Sequence, residues 1–142
     1  MGLSHESGLG ERVIGLAITV HRHLGPGLLE SAYEECLCLE LKEAGIGYRR
    51  QAPLPIVYKG IRLECRYRMD LVIENELIIE IKAVEQLLPI HDAQMLTYLR
   101  SSGIKAGLLM NFNNAVLKNG LRRFCSMTPR NRPRDLRVFA VK

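Results

Sequence analysis

The chemistry in this sequence concentrates between Tyr67 and Lys82, in the run Tyr-Arg-Met-Asp-Leu-Val-Ile-Glu-Asn-Glu-Leu-Ile-Ile-Glu-Ile-Lys. Two apolar segments flank Glu74-Asn75-Glu76 and read as two strands joined by a turn. A turn centred on Asn75 pairs residues equidistant from it, and Asp70 then faces Glu80. Directly opposed side chains on one sheet face have Cβ atoms about 4.5–5.5 Å apart. Side chains two apart share a face, so Lys82 projects beside Glu80, while Met69, Leu71, Ile73, Ile79 and Ile81 point the other way. Two carboxylates in contact repel, and burial adds a desolvation cost. A hard divalent cation such as Mg²⁺, held through carboxylate oxygens, relieves both. Such a cation polarises a phosphodiester and acidifies a water, and an adjacent ammonium stabilises charge on phosphate oxygens. A Glu-x-Lys pair alone also fits a solvated surface strand; the opposed aspartate in an apolar hairpin is what favours a site.

Two further sets of residues fall on helical stripes. Glu30, Tyr33, Leu37, Leu41 and Ala44 recur along one helix face that Glu30 opens. Glu30 suits either a third ligand or a favourable interaction with the helix dipole. His91, Gln94 and Tyr98 share another stripe beside Ile90 and Ala93. A Gln facing inward needs polar partners, which an active-site rim would supply, although Gln94 at a boundary and Tyr98 in the core would also satisfy the pattern. His91 fits a boundary position better than a metal ligand.

Positioning these groups requires a set of elements that the periodicity supplies. Val13, Leu16, Ala17, Val20 and Leu24 predict a helix over 11–24, stopped by Gly25-Pro26-Gly27. A second helix follows from about Leu28 to Ala44. The section 48–61 reads as a hairpin turning near Lys59-Gly60. Strands at 66–73 and 77–84 follow, then a helix from Pro89 to about Arg100 with a stop at Gly103. An apolar strand at 105–111, weak helical character at 114–123, a Pro- and Arg-rich loop at 126–134 and a strand at 136–141 complete the chain. The expected architecture is α/β, in the order α-α-β-β-β-β-α-β, with helices packed on a mixed sheet. Residues 1–10 are polar and Gly-rich and are expected to be disordered, leaving a single domain over 11–142.

Composition narrows the function classes. The chain has 142 residues, 47% hydrophobic and 25% charged, enough for one core without a structural metal or disulfide. No apolar run approaches the roughly 20 residues of a membrane span, and the start lacks the basic and apolar regions of a secretory signal, so a cytoplasmic protein without a membrane partner is expected. Cys36, Cys38, Cys65 and Cys125 form no CxxC pair and read as reduced thiols. The net charge of +5 is uneven. Residues 112–142 carry eight basic residues and one acid, a segment of +7 beside a body of −2. Such a basic lobe, residues 113–142 in essence, suits a polyanion, with Arg122, Arg123, Arg130, Arg132 and Arg134 the expected phosphate contacts. The other reading of that segment is a solvated tail.

Taken in order, several stretches resemble one known family. Gly27-Leu-Leu-Glu30-Ser-Ala-Tyr33 is similar to the signature of the bacterial GxxExxY family. His23 to Gly27, Tyr58-Lys-Gly60, Tyr67-Arg-Met-Asp70, Ile79 to Val84, Gln94-Met-Leu-Thr-Tyr98 and Gly107 to Phe112 resemble it in the same order, over about residues 11–123. That family is placed in the PD-(D/E)xK nuclease superfamily, with a RecB-like Gln-x3-Tyr helix motif. The resemblance implies a restriction-endonuclease-like fold, a mixed central sheet flanked by helices. It implies Glu30, Asp70 and Glu80 as metal ligands, Lys82 as the catalytic lysine, and Gln94 and Tyr98 as an accessory pair. Met69 stands where the superfamily's name has a proline. The backbone carbonyl of Ile81 is expected to join the ligand set. The expected activity is hydrolysis of phosphodiester bonds with Mg²⁺ or Mn²⁺, DNA being the favoured substrate. The rival readings are a catalytically inactive nucleic-acid-binding module or a regulatory domain on the same fold, and a homodimer is compatible with either.

Overall fold

The computed structural model describes residues 2–63, 67–126 and 136–140. Helix α1 spans Gly2–Leu24 and α2 spans Glu30–Glu43. Strands β1 (Tyr48–Pro53), β2 (Ile56–Tyr58), β3 (Ile61–Leu63), β4 (Arg68–Ile73) and β5 (Leu77–Lys82) follow. Helix α3 covers Pro89–Ser102, and β6 (Ala106–Asn111), β7 (Leu121–Ser126) and β8 (Leu136–Ala140) complete the order. Among the described residues six strands form one sheet in the order β1-β4-β5-β6-β7-β8, and β2 and β3 form a separate hairpin. Among the described strands only β5 and β6 run parallel. Their connection is α3, since parallel neighbours need a long crossover.

The central strands are apolar on both faces because both are covered. On one side Val13, Ala17 and Val20 of α1 and Tyr33, Leu37 and Leu41 of α2 pack with Leu71, Ile73, Ile79, Ile81, Leu108 and Met110. On the other, Met95, Tyr98 and Leu99 of α3 pack with Val72, Ile78, Leu109 and Phe124. The β4–β5 turn sets the register between these layers. Glu74 and Asn75 take positive φ (53° and 57°), and the Glu76 N–H donates to the Ile73 carbonyl at 2.9 Å. The resulting pairs, Ile73↔Leu77, Val72↔Ile78 and Leu71↔Ile79, are equidistant from Asn75, as the hairpin reading requires.

Several expectations are corrected. Helix α1 begins at Gly2 rather than Glu11, because Leu9, one turn before Val13, extends the apolar stripe and packs on the core. Residues 48–61 do not form one hairpin: β1 joins the main sheet beside β4, and only the Lys59-Gly60 turn joins paired strands. Within 114–123, helical geometry is confined to a 3-10 turn at Leu117–Gly120, and Arg122 and Arg123 lie on β7, whose Phe124 is needed in the core. Ala44 is exposed and caps α2 instead of facing inward. The loop expected at 126–134 lies, beyond Ser126, outside the described residues.

One departure from regular alternation shapes the site. Residues two apart on a strand share a face. Yet Leu71 packs in the α1–α2 layer and Met69 in the α3 layer, so β4 changes faces between them and Met69 does not point with Leu71 as expected. Strand β1 changes faces at the same level, Tyr48 packing with the first layer and Ala52 with the second. Gln51, between them, has a φ of 52°. Non-glycine residues rarely adopt that conformation, and it reverses the strand's alternation.

The loop after β6 tolerates little added volume. A Cβ on Gly120 would lie 2.6 Å from both the Asn111 carbonyl oxygen and Asn114 Oδ1. Gly120→Ala is therefore expected to lower stability by about 1–3 kcal/mol, the usual cost of overpacking. Gly15→Ala, on an exposed stretch of α1 with open space around its Cβ position, should instead raise it by about 0.5–1 kcal/mol. Urea denaturation of the two variants measures both, and equal effects would contradict the packing assigned to Gly120.

Candidate metal centre

The β4–β5 ladder stops at Leu71↔Ile79. At the next level side chains occupy the place of the ladder. The Asp70 N–H donates to Glu80 Oε2 at 2.8 Å, and the Ile81 N–H donates to Asp70 Oδ2 at 2.8 Å. The two acids thus sit between the strands, where the change of face in β4 opens room. Glu80 is 3% exposed and Asp70 is half-buried. Burial raises the Asp70 carboxyl above its ordinary range, against the stabilising Ile81 N–H. Burial, and then the neighbouring Asp70 charge, push Glu80 up to about 8. Near neutrality Glu80 therefore keeps its proton.

Glu30 reaches the same end of the sheet from α2. Gly27, at a φ of 102°, turns the chain into that helix, and its N–H donates to Asn113 Oδ1 at 3.1 Å. Tyr33, wholly buried and stacked on Phe112 at 4.6 Å, donates its hydroxyl to the Gly25 carbonyl and accepts the Leu28 N–H. Gly27, Glu30 and Tyr33 therefore have separable jobs: the turn, the acid and the clamp on the loop that presents it. Glu30 is exposed, and its Oε2 accepts the Ala83 N–H at 3.3 Å, just beyond β5. Its charge adds to the upward push on Glu80.

Lys82 is half-buried, and its Nζ lies 3.4 Å from Gln94 Oε1 on α3. Tyr98, one turn further, is buried and lines the same cleft as Gln94. Burial, then the charges of Glu80 and Asp70, push its phenol up to about 12, so it stays protonated. His91 instead accepts the Leu88 N–H at Nδ1, 2.9 Å away, and fastens the start of α3. Burial and the Lys82 charge hold His91 below its ordinary pKa, in keeping with an accepting, neutral ring.

The geometry brings Asp70, Glu80, Lys82, Gln94 and Tyr98 together, with Glu30 at the edge. The carboxylates do not form a closed cage: among the described residues no three His, Cys, Asp or Glu side chains are grouped closely enough to hold an ion. The donor chemistry nonetheless fits Mg²⁺, which is commonly bound through one or two carboxylates while water and substrate phosphate fill the remaining positions. An acid raised to about 8 by burial, and then by a second acid beside it, is the electrostatic condition that such a cation relieves.

Three participants escaped the sequence reading. Glu34, buried one turn after Glu30, accepts Arg50 Nε at 2.5 Å and Gln51 Nε2 at 3.0 Å. Gln51 Nε2 also lies 3.4 Å from Asp70 Oδ1, so its unusual backbone aims an amide between two acids. Holding a non-glycine residue at positive φ costs on the order of 1–3 kcal/mol, which the surrounding contacts must offset. Asn111 is 1% exposed and brackets Val84, accepting its N–H and donating to its carbonyl. That pins the chain leaving β5. Signals existed: the four-residue step from Glu30 to Glu34, and an Asn ending the apolar run Leu108-Leu-Met.

Of the expected phosphate contacts, Arg122 bonds Asp92 at 2.5 Å and Arg123 pairs with Glu11. These two arginines brace α3 and α1 against β7, so neither presents an unpaired charge. Arg130, Arg132 and Arg134 lie outside the described residues. Cys38 is buried and Cys36 half-buried in α2, as expected of reduced thiols. No helix among the described residues is long and apolar enough to cross a membrane.

Comparison with known proteins adds one finding. A family model described as the PD-(D/E)XK nuclease superfamily matches residues 7–124. No curated protein and no solved structure matches.

Because Glu80 is raised in the folded state, its contribution to stability is complete below pH 4.5 and declines as pH rises toward about 8. In EDTA, the wild-type melting temperature should fall across that window. Glu80→Gln keeps an oxygen for the Asp70 N–H and carries no charge, so its melting temperature should fall less. Parallel profiles for the two proteins from pH 5 to 8.5 would contradict the burial and repulsion described.

Proposed function

This chain belongs to the PD-(D/E)XK nuclease superfamily, and we propose that within it the chain is a divalent-cation-dependent nuclease acting on DNA. One observation carries the reading: Asp70 and Glu80 face each other in the gap where the β4–β5 ladder ends, with Lys82 on the same strand. An apolar fold gains nothing in stability from two opposed, desolvated acids, so the arrangement is best explained by a ligand that needs both. The restriction-endonuclease-like fold, a mixed sheet flanked by helices, is the scaffold common to the superfamily.

In this reading Asp70, Glu80, Glu30 and the Ile81 carbonyl hold Mg²⁺ or Mn²⁺. The cation, when bound, supplies Lewis acidity toward the phosphodiester and its attacking water. Every other element is the protein's own. Lys82 aligns the water and offsets charge growing on the phosphate oxygens. Gln94, 3.4 Å from the Lys82 amine, fixes where that amine stands, and Tyr98 supplies a protonated phenol one turn further along α3. Gln51 holds Asp70 from the opposite side. The basic C-terminal segment, including Arg130, Arg132 and Arg134, attracts the phosphate backbone without reading bases.

The test is cleavage of labelled DNA in Mg²⁺ or Mn²⁺. Wild type should cut and EDTA should abolish cutting. Lys82→Ala should lose on the order of 100-fold or more in turnover while binding DNA normally. Equal cleavage by wild type and Lys82→Ala, or cleavage that survives EDTA, would count against the mechanism. Binding offers a second check. Replacing Arg130, Arg132 and Arg134 by Ala should weaken affinity for all sequences alike. It should also flatten the log–log salt dependence by roughly 0.9 for each phosphate that is no longer neutralised. An unchanged salt slope would remove that segment from the interface.

A further inference from the structure

Beside the acids lies a second feature, most of whose walls the proposed mechanism does not use. A cleft of about 590 Å³ opens between α3 and the outer ends of β1 and β4. Its walls are largely apolar, formed by Leu54, Ile56, Tyr67 and Ile90, and Gln94 and Tyr98 close one end. Gln94 also lies 3.4 Å from the Lys82 amine, so the cleft adjoins the candidate centre. The volume falls within the range typical of small-molecule sites. Tyr67 and Ile90 remain 53% and 66% exposed, leaving wide apolar surface open to an incoming group.

The surroundings indicate what that group is attached to. Ile56 begins the β2–β3 hairpin, which carries the exposed Tyr58 at 60% with the Lys59 amine 5.4 Å from its ring centre. The same hairpin carries Lys59 and Arg62, both exposed. Arg68, exposed, adjoins Tyr67. An apolar cleft next to a phosphodiester-directed lysine, reached over exposed tyrosines and scattered cations, matches a strand whose bases are unstacked. Aromatic side chains stack on bases while cations follow the backbone. In a duplex the flat apolar faces of the bases are hidden in the helix and could not enter.

We propose that this cleft takes an unpaired nucleobase next to the phosphate being cut, so that the protein acts on single-stranded or splayed nucleic acid rather than on intact duplex. The proposal rests on the nuclease reading for the identity of the neighbouring site, and it adds the substrate class.

Binding measured in EDTA separates the cleft from catalysis. The probes are a fluorescein-labelled 20-nucleotide dT strand and a blunt duplex of equal length, followed by anisotropy. Wild type should bind the single strand more tightly than the duplex. Tyr67→Ala should weaken single-strand binding by about 10-fold or more, whereas Tyr67→Phe, which keeps the stacking face, should not. Ala93→Trp, at an exposed position that lines the cleft, should fill it and weaken single-strand binding similarly while every side chain of the proposed mechanism is retained. Duplex binding should change little in all three. Single-strand affinity unchanged in both Tyr67→Ala and Ala93→Trp, or tighter binding of the blunt duplex by wild type, would overturn the proposal even if cleavage is observed. Tyr67-dependent single-strand binding by a protein that cuts nothing would sustain the cleft and remove the nuclease.

Discussion

At the level of Asp70 and Glu80, two strands that pair regularly for three residues stop doing so, and each strand's amide turns to the other strand's carboxylate. Those two hydrogen bonds keep the acids opposed despite their repulsion. A carboxylate accepting a backbone N–H is stabilised in its charged form, yet burial outweighs that for both residues, and the neighbouring Asp70 charge adds to it for Glu80. The rest of the site is arranged around this tension. The change of face in β1 and β4 opens the gap, Gln51 supports Asp70 at the expense of its own backbone, and Lys82 supplies a nearby positive charge that lowers both acids.

The helices fix the periphery of the same site. Tyr33 draws the Gly25–Leu28 loop against α2, and Phe112 stacks on the Tyr33 ring. Glu30 thereby stands over the end of β5, while Asn111 holds Val84 on the far side of that end. Side chain-to-backbone bonds of this kind do the work that a strand ladder cannot do where the sheet ends. Arg122 and Arg123 have a comparable role. Their ion pairs join β7 to α3 and α1, and as partly exposed pairs they contribute modestly.

Much of this was legible in the sequence because the decisive contacts are local. The β4–β5 hairpin is a short turn between two strongly apolar runs, so the position of Asn75 determines which residues oppose each other, and Asp70 and Glu80 follow. The face of α3 that carries Gln94 and Tyr98 was legible for the same reason: helical spacing places them, and only the identity of the partner, Lys82, is nonlocal. What was not legible depends on distant pairing. Strand β1 looked like half of a hairpin with β2 because nothing in its own residues announces β4 as partner. The reversal at Gln51 and the displacement of Met69 to the α3 layer follow from that pairing. The ion pair of Arg122 was not legible because its partner Asp92 lies far away in the chain.

We propose that the opposed acids form a cation site and that Glu80 would release its proton to the buffer as the ion binds. Titration calorimetry with Mg²⁺ at pH 7, repeated in buffers of different ionisation enthalpy, counts protons released on binding. With Glu80 raised to about 8, most of the protein begins protonated there. The account predicts release approaching about one proton per ion in wild type and none in Glu80→Gln. Mg²⁺ binding without proton release, or release that persists unchanged in Glu80→Gln, would contradict it.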